Sequence, residues 1–552
     1  MLTEARSSAS PHAPAAGEEE PTDPADGPPP ISRSDRAAFW TFVAAMAASL
    51  VFLIQYGRYA WFAFDEWYIL AGRDGGNLAD YFRPHDGHWI TLPVVAFKAL
   101  WAIVGLHSYR PYQMMAILTH LLVAVLLRVI MRRLGVNGWI ATIAAVAFAL
   151  FGAGQANVVW AFQISLEGSM ALGLVHLLLS GHDGPLDRRD WLGLVAGLGA
   201  LMCSGLGVIM VAIVGVAVLL RRGWRAAAFH TVPLAAIFGL WYVIEKPKAF
   251  NPYGRPPLHT VASWIIRFVS DLFVDIGHFP VLAIVLGVVL VVGLVLAFLP
   301  FSFARFRRQG AVPIALLVGA LVFAGTASTE RWFLGLSAAS AARYVWVGAA
   351  LVLPVLAVAA DAIGRRWRPM YLVMGLVLVI SIPWNAKEFT VMPFPWGKPY
   401  FVAEEGVLLG TPYAPFARDV PRSVRPDPNT LLGDDVTVGW LLDAKAAGKL
   451  PDIGTLSPEL ENQLRVRLGV SQTNEPAVGT CKPMEAPLDI TPTKGQQFGL
   501  GSSVTISLMD GTTGLASVPY SILNGGRLTI ELDGLHLQVA PAYRTKSYTW
   551  CS

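Results

Sequence analysis

Charge is what this sequence has least of. Only 14% of its 552 residues are Asp, Glu, Lys or Arg while 54% are hydrophobic, and a mean hydropathy of +0.51 lies outside the soluble globular range. A freely soluble enzyme or binding module is thereby excluded. No nucleic-acid-binding motif is present either, so the formal charge of +4, from 32 Arg and 10 Lys against 38 acids, speaks of membrane topology rather than of a nucleic-acid partner. Met1 to Ala37 has almost nothing to bury and is expected to be a disordered cytoplasmic tail. It lacks the apolar core and cleavage site of a signal peptide, so the first apolar run is expected to stay as a helix.

What the chain does contain is a succession of apolar runs. Crossing about 30 Å of hydrocarbon takes about 20 helical residues. Spans are expected near 38–57, 110–131, 138–154, 165–181, 191–203, 204–220, 226–244, 279–300, 311–327, 343–361 and 369–385. Arginines cluster at every second connection: Arg128, Arg132 and Arg133; Arg188 and Arg189; Arg221, Arg222 and Arg225; Arg305, Arg307 and Arg308; Arg365, Arg366 and Arg368. These mark the cytoplasmic side. The expected fold class is therefore a polytopic α-helical membrane protein with eleven spans, N-terminus inside and C-terminus outside. Residues 88–105 are read as a helix lying in the outer interface with Lys98 reaching toward headgroups, because another span there would move the first arginine cluster outside. Residues 191–220 are read as two short passes turning at Cys203-Ser204-Gly205, with Cys203 a packing residue.

This topology collects the unusual polar residues on the outer side, foremost in the loop 58–109. The stretch FAFDEWYILAGRDGGNLADYFRPHDGHW, Phe62 to Trp89, holds five carboxylates, two arginines and two histidines among aromatics. The aromatics are expected to seat it in the membrane interface. Beyond the last span, 386–470 reads as an outer connecting segment with a helix at 457–469. Residues 471–552 alternate apolar and polar residues between Gly, Asn and Asp turns, as in a small extracytoplasmic β-sandwich. Cys481 and Cys551 bracket that domain, and an oxidising exterior permits a disulfide between them; two buried free thiols are the alternative.

Each candidate residue has a chemical and a structural reading. Asp65, beside Glu66 in an aromatic enclosure, suits a general base whose pKa a dry environment raises, and it equally suits a helix N-cap. His85, Asp86 and His88 offer imidazoles and a carboxylate to a divalent metal or a phosphate, or form a solvated loop; no second ligand group completes a structural zinc site. Arg331 and Arg343, with Lys246, Lys248 and Arg255 behind them, suit phosphate recognition or snorkelling at the membrane boundary. Glu167 and Gln163 open a span, where an acid is a functional candidate or a partner of the helix dipole.

The order of these features resembles the GT-C superfamily of membrane glycosyltransferases. One span precedes an outer loop with an acidic pair, Asp65-Glu66. Then HWITLP, His88 to Pro93, stands before an interfacial helix; AIVGLHSYRPYQMM and a span ending RVIMRRLG follow; LGLVAGLGALMCSGLGVIMVAI resembles the family's paired short helices, and Arg343-Tyr344 heads a late span. The resemblance covers about residues 38–385. It implies an inverting transfer of a sugar from a polyprenyl-phosphate donor to a glycan, lipid or protein acceptor on the outer face. Asp65 would be the base, Glu66 its supporting acid or a metal ligand, and Arg343, Arg331, Lys246 and Arg255 the donor-phosphate grip. A divalent metal, Mg or Mn, is compatible with some members and dispensable in others. Abundant Arg, Ala and Gly with little Lys suggests a GC-rich bacterial genome, hence a bacterial plasma membrane and a cell-envelope acceptor. Two other functions compete with this one: a lipid-linked glycan transporter or flippase, for which neither an internal repeat nor charge on the inner side is found, and a non-catalytic, membrane-anchored glycan-binding module.

Overall fold

The structure, a computed structural model, describes residues 32–248, 251–299, 302–389, 397–427, 435–473, 475–522, 526–542 and 547–552. The expected tail thus lies outside the described residues as far as position 31, while residues 33–37 are already helical. The reason is local: the Ser32 hydroxyl caps the helix by accepting from Asp35 N at 3.0 Å.

In chain order the helices are α1 (Arg33–Tyr56), α2 (Asp65–Leu70), α3 (Leu78–Phe82), α4 (Thr91–Val104), α5 (Arg110–Arg133), α6 (Gly138–Ala149), α7 (Gln155–Val159), α8 (Ile164–Ser180), α9 (Arg188–Leu201) and α10 (Leu206–Arg222). They continue as α11 (Trp224–Glu245), α12 (Leu258–Gly277), α13 (Pro280–Phe298), α14 (Phe303–Arg331), α15 (Ala342–Arg366), α16 (Met370–Glu388), α17 (Gly397–Gly410), α18 (Val438–Ala446) and α19 (Pro458–Gly469). Among the described residues, nine helical stretches are long and apolar enough to cross a membrane. The α9–α10 pair, turning at 202–205 as expected, is shorter, and α4 is a 14-residue apolar helix.

Contacts sort the helix ends to two ends of the bundle. At one, Arg132 pairs with Asp35 at 3.0 Å, Arg133 donates to Leu178 O, Arg222 to Ser180 O, Arg307 to Leu220 O and Arg365 to Gly135 O. This end gathers the arginine clusters. At the other, Trp241 donates to Phe82 O, Gly152 N to Asn385 Oδ1 and Lys449 Nζ to Ala102 O, so that end carries the segment that leads into the C-terminal domain. Helix α15 is the central column, with Val345 through Leu351 almost wholly buried.

Helix α12 is missing from the expected elements. Its apolar residues Trp264, Phe268, Leu272 and Ile276 recur every fourth position and are buried, while Arg267, Asp271 and Asp275 lower its average hydropathy. An amphipathic stripe escapes a reading based on continuous apolar runs. Asp271 accepts from Ser340, and Asn385 donates to Asp275 O, so α12 lies across the domain-side ends of its neighbours.

Two readings of the first loop are corrected. Lys98 does not reach outward; its ammonium donates to Leu70 O at 3.1 Å and Arg73 O at 2.6 Å, because these carbonyls at the end of α2 need donors. The aromatics do not seat the loop in lipid either. Trp61, Phe62 and Trp67 are buried in a protein core with Tyr109 and Tyr112, completed by Phe401, Leu408, Val436 and Leu441 from beyond the last bundle helix. Rings meeting edge-on, such as Phe62 on Tyr109 at 4.8 Å, gain more from each other than from headgroups.

The C-terminal domain is the expected two-sheet β region, entirely antiparallel. Its strands are β1 (Val470–Thr473), β2 (Cys481–Met484), β3 (Leu488–Ile490), β4 (Gln497–Leu500), β5 (Val504–Asp510), β6 (Thr513–Tyr520), β7 (Arg527–Ile530), β8 (Leu537–Pro541) and β9 (Tyr548–Cys551). The sheets run β1-β7-β4-β9-β2 and β3-β8-β5-β6. RLTIELDGLHLQVAP divides between them at Gly534, whose φ of 72° breaks the strand. Cys481 and Cys551 face each other across β2 and β9 and form the disulfide.

Candidate active site

The loop between α1 and α5 presents Asp65 through a strained backbone. Phe64 occupies the N-cap of α2 with φ 51°, and no side chain caps this helix. Asp65, the first helical residue, therefore does not spend its carboxylate as a cap. A bulky residue at positive φ stores of order 1–3 kcal/mol and persists only where surrounding packing enforces it; here the Phe64 ring meets Trp160 edge-on at 5.9 Å.

Twenty residues on, Asp86 and Gly87 have φ of 46° and 82°. His85 N donates to His88 O at 3.0 Å, and His88 N to His85 O at 2.8 Å. Two central residues at positive φ inside a doubly bonded pair make a type I′ turn, for which Asp-Gly is a favoured sequence. The sequence reading treated these four residues as a ligand cluster and passed over that turn signal. The turn makes His85 and His88 direct cross-strand partners, which brings their side chains out on one side.

His85 reaches back to Asp65, its Nε2 lying 2.8 Å from Asp65 Oδ1. Tyr68 and Phe162 flank the imidazole at 4.5 and 5.3 Å between ring centres. The His85 side chain is 9% exposed and that of Asp65 26%. Among the described residues the Asp65 carboxylate has no other hydrogen bond, so its second oxygen is not taken up by a protein donor. The ligand atoms of Asp65, His85 and Asp86 all lie within 4.8 Å of one another. One imidazole and two carboxylates suit Mn better than Mg, which prefers oxygen alone.

Glu66 turns the other way, because successive helical residues point about 100° apart. It is fully buried and accepts from Ala63 N at 2.8 Å, Tyr109 Oη at 2.8 Å and Phe162 N at 3.2 Å. Burial, outweighing these three donors, pushes its pKa up to about 8. Glu66 ties the loop to the chain around 162, and so it helps set Phe162 against His85.

His88 stands in a recess. A Cβ on Gly205 would come within 2.8 Å of its Nδ1, so the α9–α10 turn reaches it. By surface area the residue is nonetheless exposed. Desolvation, and then the charges of Arg331 and Arg343, lower its pKa to about 4; both arginines act in the same direction as burial, so the imidazole is neutral near pH 7. A neutral His88 is a poor holder of phosphate. Arg331 is buried at the end of α14, and Arg343 is exposed at the start of α15 with its guanidinium 5.3 Å over the Tyr344 ring.

The other candidates are less closely joined. Lys246 and Arg255 are exposed, although their loop approaches the turn where a Cβ on Gly87 would lie 3.2 Å from Lys248 O. Gln163 is buried one residue beyond Phe162. Glu167 is fully buried with no hydrogen-bond partner for either oxygen among the described residues, one position before Gly168, whose added Cβ would lie 3.2 Å from Cys203 Sγ.

Sequence reasoning also missed charge within the bundle. Near the arginine-rich end, Asp190 accepts from Arg222 at 2.5 Å and pairs with His230 at 2.9 Å and His182 at 3.1 Å, and His176 meets His230 at 3.0 Å. His182, Asp187 and Asp190 have metal-ligand spacing, but Arg222 already neutralises Asp190 and would repel a cation. This knot holds α8, α9, α10 and α11 together. Comparison of the chain with models of known families, with curated proteins and with solved structures finds no match.

Proposed function

We propose that the chain is an inverting glycosyltransferase of the GT-C type, crossing a bacterial plasma membrane eleven times with the C-terminal domain outside. It moves a sugar from a polyprenyl-phosphate donor to a hydroxyl of a cell-envelope glycan, lipid or protein. The observation that carries this reading is the Asp65–His85 pair, with His88 on the same turn close enough to Arg331 and Arg343 to feel their charge. There a lipid-borne donor and a water-borne acceptor can meet. The alternating helix ends support the eleven crossings, with α4 and α12 lying along the domain-side end.

The chemistry follows from the geometry. Asp65, the more exposed member of its pair, takes the proton of the acceptor hydroxyl on the oxygen that His85 leaves open, while that hydroxyl's oxygen bonds to the anomeric carbon. The bond from this carbon to the phosphate oxygen breaks on the opposite face, so the centre inverts and the electron pair leaves on polyprenyl phosphate. Arg331 and Arg343 meet the charge that grows there. His85 is a positioning residue, donating Nε2–H to Asp65 Oδ1. A divalent ion held by Asp65, His85 and Asp86 would add positive charge beside the reacting oxygens.

The test is release of polyprenyl phosphate from a panel of polyprenyl-phosphate sugars by the purified full-length chain, with and without envelope acceptors. Turnover that disappears in Asp65→Asn, with an unchanged melting temperature, supports the reading. Absence of release across the panel, or full activity in Asp65→Asn, overturns it.

A further inference from the structure

A cavity of about 440 Å3 opens at the arginine-rich end, opposite the Asp65 site. It lies between the α5–α6 turn, the end of α13, the first turns of α14 and the last turns of α15. Leu134, Leu296, Phe298 and Val358 make its walls apolar, and Arg365 and Arg366 stand beside them.

The acid in the cavity is already used. Asp361 is 4% exposed and is taken up by Arg365 Nε at 2.6 Å, Asn137 N at 2.9 Å and Tyr371 Oη at 3.2 Å. Arg366 is exposed and, among the described residues, makes a cation–π contact alone, 5.3 Å over Trp367, and Arg368 is exposed two residues on. The local balance is therefore positive. Leu299, Phe303 and Trp367, respectively 80%, 76% and 48% exposed, surround these cations with apolar surface, the mixture found where a membrane meets water.

Two features narrow the occupant. A small soluble anion gains nothing from apolar walls, and a hydrocarbon chain gains nothing from guanidinium groups. An amphiphile with an anionic head uses both, and basic pockets between helices at this membrane face recognise such headgroups. We propose that the cavity binds an anionic phospholipid of the inner leaflet, its phosphate on Arg365 and Arg366 and an acyl chain along Leu296 and Phe298. The proposal does not depend on the transferase reading.

The experiment is a thermal-unfolding titration of the full-length chain, delipidated in detergent, with phosphatidylglycerol, phosphatidylcholine or sodium phosphate. Phosphatidylglycerol should raise the melting temperature saturably, and the other two should not. Arg366→Glu, on an exposed side chain, should leave the lipid-free melt unchanged and raise the half-saturating phosphatidylglycerol concentration about tenfold or more. Val358→Trp, which fills the cavity, should abolish the response. Equal stabilisation by phosphatidylcholine, reproduction of the effect by phosphate, or a wild-type response in Arg366→Glu would overturn the proposal.

Discussion

The imidazole of His85 and the carboxylate of Asp65, twenty residues apart in the chain, meet with Nε2 2.8 Å from Oδ1. A single oxygen of Asp65 is thereby engaged and the other left without a protein donor among the described residues, and in the proposed reaction the pair divides into a base and a residue that aims it. Replacing Asp65 with Asn should lower turnover by about 10²–10⁴-fold. Replacing His85 with Gln, which can still donate, should cost less than His85→Ala, and mainly in kcat. Equal losses in Gln and Ala would show that the imidazole acts by something other than donating to Asp65.

The arginines carry the second prediction. Arg343→Gln should reduce kcat by roughly 10²-fold, the scale of losing one preorganised charge contact to a leaving group. Arg343→Lys should recover only part of this, because an ammonium lacks the bidentate fork. Since Arg343 is exposed, the melting temperature should not move. A variant that melts normally and turns over like wild type would remove Arg343 from the site.

Glu66 makes a prediction about pH. Its folded pKa, pushed up to about 8 from an ordinary 4.5 by burial, means that the folded state holds the proton more tightly than the unfolded state. Stability is therefore fully present below pH 4.5, falls as pH rises toward about 8, and is flat beyond, with a total on the order of a few kcal/mol. Glu66→Gln should lose this slope. It should also be less stable at pH 5 by about 1–3 kcal/mol, because its amide donors confront backbone and hydroxyl donors. Melting curves of both proteins from pH 5 to 8.5 check this; parallel pH profiles would contradict it.

A fourth prediction concerns truncation. Trp440 lies 6.2 Å from Trp67 and 5.2 Å from Trp101 between ring centres, and Leu106 N donates to Lys449 O at 2.7 Å. Deleting residues 400–552 should consequently abolish activity even if the catalytic groups all belong to the bundle. Trp440→Ala, by opening this shared core, should destabilise by about 3–5 kcal/mol. Retained activity in the truncated chain would mean that the first loop holds its shape alone.

A divalent ion held by Asp65, His85 and Asp86 would make turnover metal-dependent. Chelation should reduce turnover, and Mn should restore it better than Mg. Asp86→Asn should raise the half-activating Mn concentration about tenfold or more, and isothermal titration should show the same shift without substrate. Full activity after exhaustive chelation would leave these residues without a metal role.

The sequence alone determined the apolar bundle, the arginine-rich end, the short α9–α10 hairpin and the cysteine-bracketed β domain, because each depends on local hydropathy, charge or strand alternation. It also directed attention to Asp65, His85 and His88 as chemically unusual residues near apolar helices. Only the tertiary structure decided where each side chain points and what it meets. Glu66 was expected as an acid supporting Asp65 or reaching a metal, but one helical step turns it into the core. His85 reaches Asp65 because a type I′ turn aims it and Phe162, from a distant segment, backs it. Helix α12 was illegible because charges interrupt its apolar stripe, and the Asp190 knot because its members lie on four different helices. Hydropathy belongs to a stretch of chain, whereas the direction of a carboxylate depends on everything packed around it.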